Sequence, residues 1–231
     1  MKNIAVILAA GEGRRSGMEE PKQFSMLGDR LVVEYPLGTF CAHPAIDEVC
    51  LVCHPDYVAR MEDLRRRGTY RKWLRTVPGG ATRRDSTLAA LRIYTDDRDN
   101  LIFHDAARPL VSRRIIGDVA AALGQWRAVN VCVPSADTLM RTDADGKRIE
   151  EVPPRQYWQR SQTPQAFRRG VIAAAYAGAA ADDAGLQTDD CSIVKKYLPD
   201  EPIFIVQGEP ANMKLTYPED FYYIRYGMSE R

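Results

Sequence analysis

Positive charge gathers around a glycine-rich turn near the start of the chain: Gly11-Glu12-Gly13-Arg14-Arg15, then Pro21-Lys22-Gln23. Such a turn bares backbone N–H groups and lets a phosphate approach closely, because no Cβ stands in the way. Two arginines and a lysine around it suit a nucleoside triphosphate. Further on, Pro78-Gly79-Gly80-Ala81-Thr82-Arg83-Arg84-Asp85-Ser86 sets a second glycine pair before a helix start, where a backbone turn and Ser86 could meet a base or ribose. His104-Asp105-Ala106-Ala107-Arg108-Pro109 supplies a carboxylate. Mg²⁺ takes one or two carboxylates plus phosphate oxygens, so Asp105 beside a triphosphate is a candidate metal partner; the plainer reading is an Asp–Arg ion pair. His104 reads as a packing or hydrogen-bonding residue rather than a base. Three more polar islands follow: Pro134-Ser135-Ala136-Asp137-Thr138; Arg155 with Gln162-Thr163-Pro164-Gln165; and Asn212-Met213-Lys214-Leu215-Thr216 with Pro218-Glu219-Asp220.

The first turn is not a P-loop, which needs G-x-x-x-x-G-K-[ST]. A dinucleotide turn, G-x-G-x-x-G, would need glycine where Ser16 stands, and Arg14 and Arg15 put guanidinium groups where that fold presents an apolar helix. An NAD-dependent oxidoreductase and a non-catalytic nucleotide-binding scaffold remain as alternatives at this level. The retained Lys22, Asp105, Arg155 and Lys214 argue against the second.

The elements that must position these groups read as α/β. Ile4–Ala10 is a continuous apolar run directly before the first turn; further runs lie at 49–53, 101–103, 128–133 and 203–206. Continuous apolar runs mean strands buried on both faces, the mark of a mostly parallel sheet covered by helices. Helices are expected at about 31–42, 56–67, 83–94, 112–126 and 165–181, with helix starts at Asp85-Ser86 and at Thr188–Ser192. Asp105 then falls at a strand's carboxyl end, where open α/β sheets bind ligands. From Ser135 to Gln162 the rhythm breaks: Asp143–Lys147 reads as a hairpin turn between 138–142 and 148–152. A single domain over 1–231 with a protruding arm at about 136–160 is expected.

Bulk properties narrow the function classes. The 231 residues carry 32 Lys and Arg against 31 Asp and Glu, a net charge of +1, so no basic field argues for nucleic acid or an anionic membrane. No apolar stretch reaches the ~20 residues of a membrane span. The five cysteines have no metal-site spacing, and Cys50-Leu51-Val52-Cys53 lies inside an apolar run, which reads as strand packing. A cytoplasmic location is the expectation.

The ordered set of islands, from about Ile4 to Asp220, resembles the cytidylyltransferases that act on small polyol phosphates, of the 2-C-methyl-D-erythritol 4-phosphate and ribitol-5-phosphate groups. The resemblance implies a Rossmann-like nucleotidyltransferase sheet of three α/β/α layers, a Mg²⁺-dependent reaction, and a homodimer embraced by the hairpin arm. It implies that CMP passes from CTP to the polyol phosphate with release of pyrophosphate. Ala9, Ala10, Gly11, Gly13, Gly80, Ser86, Asp105 and Ala106 would line the nucleotide site, and Arg15, Lys22 and Lys214 would act in catalysis. Arg108, Thr138, Arg155, Thr163 and Thr188 would hold the polyol phosphate, with Thr138 and Arg155 acting across the dimer. Ser16 stands where many relatives carry Met, and Ala81 where an acidic residue often contacts the base. Asp190–Val194 and Val152–Arg155 look closer to the ribitol group, and His104–Pro109 to the methylerythritol group; methylerythritol phosphate is taken first and ribitol phosphate as the alternative.

Elementary electrostatics agrees with such a reaction. Two unit charges ~4 Å apart interact by ~4 kcal/mol at a near-surface dielectric, so two polyanions meet only with cations at both ends. A phosphate monoester is already largely ionised at pH 7 and needs no strong base. Three histidines in the whole chain, and no nucleophile–base motif, fit a reaction run by positioning and electrostatics.

Overall fold

A computed structural model describes residues 1–11, 20–180 and 189–229. Its first strand, β1 (Asn3–Ala9), lies in a seven-stranded sheet, while β2 (Met26–Leu27) and β3 (Arg30–Leu31) pair as a separate small hairpin. β4 (Glu48–Cys53) and β6 (Asn100–Asp105) flank it in parallel, residue against residue from Ile4↔Glu48 to Ala9↔Cys53 and from Asn3↔Asn100 to Leu8↔Asp105. With β5 (Trp73–Pro78), β7 (Ala128–Pro134), β10 (Gln159–Arg168) and β11 (Phe204–Gln207), the order is β11-β7-β10-β6-β1-β4-β5. Only β10 runs antiparallel to its neighbours, β6 and β7.

Side chains alternate across β1, so one strand feeds two cores. Ala5, Ile7 and Ala9 pack with α1 (Glu34–Cys41), α2 (Val58–Arg66) and α4 (Arg113–Ala122) through Leu37, Phe40, Met61 and Ile115. Ile4 and Val6 pack with α3 (Arg83–Ile93), α5 (Arg169–Ala179) and α6 (Asp190–Tyr197) through Ala90, Leu91, Ile172 and Val194. Each such apolar side chain contributes ~1.5–3 kcal/mol on full burial. The result is the three-layer, doubly wound sheet expected. A third cluster at the carboxyl edge joins Leu27, Ala107, Leu110 and Leu215 to Ile224 of α7 (Asp220–Ser229). Cys50 belongs to one core and Cys53 to the other, because a separation of three puts them on opposite faces. No helix among the described residues is long and apolar enough to cross a membrane.

Two expectations need correction. The helix expected from about 165 begins at Arg169, because Gln165–Arg168 complete β10. That strand was hidden by its polar residues: Gln162, Thr163 and Gln165 are buried but hydrogen-bonded, so no apolar run marks it. β5 was also missed; it is an edge strand paired only to β4, and most of it stays partly exposed. The hairpin falls at the expected turn: β8 (Arg141–Thr142) pairs β9 (Ile149–Glu151), with the Gly146 amide donating to the Asp143 carbonyl at 3.0 Å.

The strand order reverses between β1 and β6, and the cleft opens outside their carboxyl ends. At this edge Gly79 presses against β1: its amide donates to the Cys53 carbonyl at 2.8 Å, and an added Cβ would lie 2.4 Å from the Ala10 Cβ. Gly79→Ala is expected to cost ~1–3 kcal/mol. Urea unfolding should show a lowered midpoint with an unchanged slope.

Candidate active site

β1 delivers Ala9, Ala10 and Gly11 to the floor of a cleft of about 330 Å³. This end of β1 is tied down by Gln23, whose amide donates to the carbonyls of Ala9 (2.9 Å) and Gly11 (2.6 Å). Gln23 sits in a short 3₁₀ turn, Lys22–Phe24, that brings Lys22 to the cleft wall, 7% exposed. Lys22 and the glycine turn, far apart as side chains in an extended chain, are thus held together by one amide. Gly13 and Arg15 lie outside the described residues, as does Thr188.

The opposite wall is the N-terminus of α3. Its cap is Thr82, one turn ahead of the Asp85-Ser86 start expected. Asp85 instead closes a capping box: its amide donates to Thr82 Oγ1 (3.1 Å), and its carboxylate accepts from the Thr82 amide (3.0 Å). Gly80 is required here, since an added Cβ would lie 2.2 Å from the Asp85 Cβ. Gly80, Ala81, Thr82 and Ser86 therefore face the cleft beside a helix N-terminus, whose unpaired N–H groups and dipole favour an anion.

β6 carries Asp105 to the centre. Its carboxylate, 8% exposed, takes Arg83 on Oδ1 and the Lys214 ammonium on Oδ2 at 2.7 Å, with Arg108 Nε 4.0 Å away. Burial alone would raise this carboxyl's pKa, but Lys214, Arg83 and Arg108 outweigh it and hold the group well below the usual carboxylate range. Asp105 is therefore a fixed negative charge. Arg83 turns its other arm to Asp190, which is fully buried (2.8 Å).

Behind Asp105 runs a hydrogen-bond chain. The Asp105 amide donates to Thr163 Oγ1 (3.1 Å), which donates to His104 Nδ1 (3.0 Å), and His104 Nε2 donates to the Arg108 carbonyl (3.0 Å). A carbonyl only accepts, so Nε2 carries a proton, and burial keeps the ring neutral near pH 7. Burial pushes the His104 pKa down to about 4. His104 is a structural strut, as expected. Thr163, expected against the substrate, spends its hydroxyl on this strut.

Lys214 is set by its neighbours. The Asn212 amide donates to Gln162 Oε1 (3.1 Å) and to the Thr163 carbonyl (2.8 Å), the Arg108 guanidinium donates to the Asn212 carbonyl (2.8 Å), and the Leu215 amide donates to the Ala107 carbonyl (2.8 Å). The segment is stitched to β10 and to the loop after β6.

Of the residues expected at the site, Ala9, Ala10, Gly11, Lys22, Gly80, Ser86, Asp105 and Lys214 meet on one cleft. Ala106 does not line it; its side chain packs into the core and its amide donates to the Leu8 carbonyl at 2.9 Å. Arg108 and Thr163 lie behind the cleft rather than on it. Thr138 and Arg155 lie exposed at the base of the arm, Arg155 donating to the Ala136 carbonyl (2.9 Å). Gln23, Gln162, Asn212, Arg83 and Asp190 were not singled out. Each stood inside an island or helix start already noted, but nothing in a lone sequence says which polar residue is tied to which.

Among the described residues no group of three or more His, Cys, Asp or Glu forms a metal-ligand set. Asp105 is one carboxylate with both oxygens paired to cations. That donor set suits a divalent ion carried in by a triphosphate, which supplies most of the oxygen ligands itself, and not an ion held by protein alone.

Residues 3–229 match the family described as IspD, 2-C-methyl-D-erythritol 4-phosphate cytidylyltransferase. The chain is 46% identical over 221 residues to the enzyme of that name from Thermobifida fusca, covering 94% of this chain and 89% of that one. It is 40% identical over 224 residues to a bifunctional ribulose 5-phosphate reductase/CDP-ribitol pyrophosphorylase, Bcs1, of Haemophilus influenzae, covering 96% of this chain but 47% of that longer protein. Among solved structures, a 4-diphosphocytidyl-2C-methyl-D-erythritol synthase from Anaerococcus prevotii superposes with a TM-score of 0.86 at 29% identity, over 99% of this chain and 96% of that one.

The strut at His104 makes stability depend on pH. The unfolded imidazole takes a proton below about 6.5, while the folded one resists until about 4. Its contribution is complete above 6.5 and lost as pH falls towards 4, a loss on the order of 3 kcal/mol. Urea midpoints measured across that window should fall less steeply in His104→Asn than in the parent. Equal slopes would remove the strut from the acid response.

Proposed function

Because this chain belongs to the 2-C-methyl-D-erythritol 4-phosphate cytidylyltransferase family, we propose that its cleft binds CTP and passes the cytidylyl group to 2-C-methyl-D-erythritol 4-phosphate, releasing pyrophosphate. The observation that carries the reading is the cleft itself: the end of β1 at Ala9–Gly11 and the α3 N-terminus both line it, together with Lys22 and the Asp105–Lys214 pair. Family membership sets aside the oxidoreductase and the scaffold readings.

In this reaction a phosphate oxygen of the acceptor attacks the α-phosphorus of CTP. The bond from that phosphorus to the bridging oxygen breaks, and pyrophosphate leaves with the electron pair. No proton need be removed first. Lys22, with Arg15, would hold the triphosphate. The α3 N-terminus with Gly80 and Ser86 would take the nucleoside side, where Ala81 leaves base recognition to backbone groups. Lys214 would swing its charge from Asp105 to the α-phosphate as negative charge builds there. A divalent ion of the Mg²⁺ kind would enter with the triphosphate, next to Asp105, and neutralise phosphate charge.

The acceptor phosphate needs cations beyond those that serve the triphosphate. Thr138 and Arg155 lie out at the arm, and Met140, Ile149, Val152, Tyr157 and Trp158 there expose 46–77% of their surface. These features support a homodimer in which the arm of one copy brings Arg155 and Thr138 to the cleft of the other, with Thr188 completing the acceptor site and Arg108 supporting it from behind through the Asn212 carbonyl. The ribitol 5-phosphate alternative is favoured by one observation, the 40% identity to the Haemophilus protein; the higher identity to the Thermobifida enzyme over most of both chains favours methylerythritol phosphate.

Pyrophosphate release from Mg·CTP should be seen with 2-C-methyl-D-erythritol 4-phosphate and be far slower with D-ribitol 5-phosphate; the reverse order would install ribitol. Lys22→Ala and Lys214→Ala should each cost about 10²-fold or more in kcat/KM, the size of a removed oxyanion donor, the first largely through KM for CTP and the second through kcat. A double charge on the arm, Ile149→Asp with Val152→Asp, should turn the dimer into a monomer in sedimentation and abolish turnover. An active monomer would remove the arm from the acceptor site.

A further inference from the structure

Arg83 stands in the wall of the cleft, yet both arms of its guanidinium are spent on carboxylates from distant parts of the chain. Nη1 reaches Asp105 at the end of β6, and Nη2 reaches Asp190 at the start of α6, 2.8 Å away. Asp190 is 0% exposed. Its other oxygen accepts from the hydroxyls of Thr87 (2.8 Å) and Tyr176 (2.7 Å), and its backbone amide donates to Gln165 Oε1 (3.1 Å). A carboxyl group held by α3, α5 and β10 at once is fixed in orientation. It is the fixed end of a chain of alternating charge that runs Asp190, Arg83, Asp105, Lys214 out to the cleft.

The cost of this placement falls on its third nitrogen: Nε is buried and has no hydrogen-bond partner among the described residues. A buried orphan N–H opposes folding, so its orientation is dictated by the two carboxylates and not by its own satisfaction. A planar fork fixes the separation of two carboxylates; an ammonium on a flexible stem does not. We propose that Arg83, anchored by Asp190, is a positioning residue for cytidylyl transfer, acting through Asp105 to set Lys214 over the α-phosphate. Arg83 also occupies one oxygen of Asp105, so Lys214 shares that carboxylate with a second cation and can move to phosphate without leaving a bare buried charge behind.

The inference rests on the cytidylyltransferase reading for its kinetic arm only. Three variants test it: Asp190→Asn, Arg83→Lys and, as a structural control, Tyr176→Phe, which takes one hydrogen bond from Asp190 and leaves the fork alone. Crystal structures of the first two should show Lys214 Nζ more than about 4 Å from Asp105, beyond ion-pair distance. Their kcat should fall at least about tenfold while KM for CTP stays within about threefold, the split expected when an interaction made in the transition state is lost. Tyr176→Phe should lower Tm yet keep kcat within about threefold of the parent. The inference is overturned if the Lys214–Asp105 contact survives in both variants, if Arg83→Lys restores kcat, or if kcat losses follow Tm equally in all three. A parent enzyme inactive with either acceptor would sink the cytidylyltransferase reading, and the crystal structures would still decide whether Arg83 sets Lys214.

Discussion

One buried negative charge organises this molecule. Asp105 sits at the end of a fully buried strand, where an unpaired carboxylate would cost several kcal/mol. Three cations answer it, and each arrives on a different piece of chain: Arg83 from α3, Arg108 from the loop after β6, and Lys214 from the segment before α7. The fold brings these pieces to one point because the charge can be buried in no cheaper way. The cleft is cationic, with Lys22, Arg83 and Lys214 against Asp105 in its lining.

The sheet makes this convergence possible. β1 lies between β4 and β6 and feeds apolar side chains to both faces, so the carboxyl edge is rigid before any polar group is placed. The polar groups that line the cleft then need little support of their own. Gln23 pins the glycine turn, Thr82 and Asp85 cap α3, and Asn212 fastens the lysine segment. Each is a short-range device attached to a long-range frame. The His104 strut belongs to the same set: it joins β6, β10 and the loop after β6 through a ring that stays neutral because it is buried.

Much of the frame was legible in the sequence because apolar runs such as Ile4–Ala10 have one physical meaning, burial on both faces. That Ala9, Gly11 and Asp105 would gather at one place was legible because each stands at or just after a strand end, and the strand ends share one edge. β10 was not legible. Its Gln162, Thr163 and Gln165 are buried polar residues whose partners lie on other strands and loops, and a linear pattern does not contain those partners. Thr163 shows the same limit at the site. Its place in the island was right, but whether its hydroxyl meets substrate or His104 depends on where β6 stops relative to β10, which is a matter of register between distant strands.

The single reversed strand has a consequence of its own. Since β10 runs against β6 and β7, those two end at the same edge, and the chain between β7 and β10 must leave and re-enter there. The arm is therefore rooted on the side where the cleft opens, whatever its length or composition. Changes in its reach can retune what arrives at that edge while β1, α3 and Lys22 keep their geometry untouched. One backbone direction thus roots the arm at the edge where the cleft opens, while β1 and α3 are fixed by the sheet and its cores.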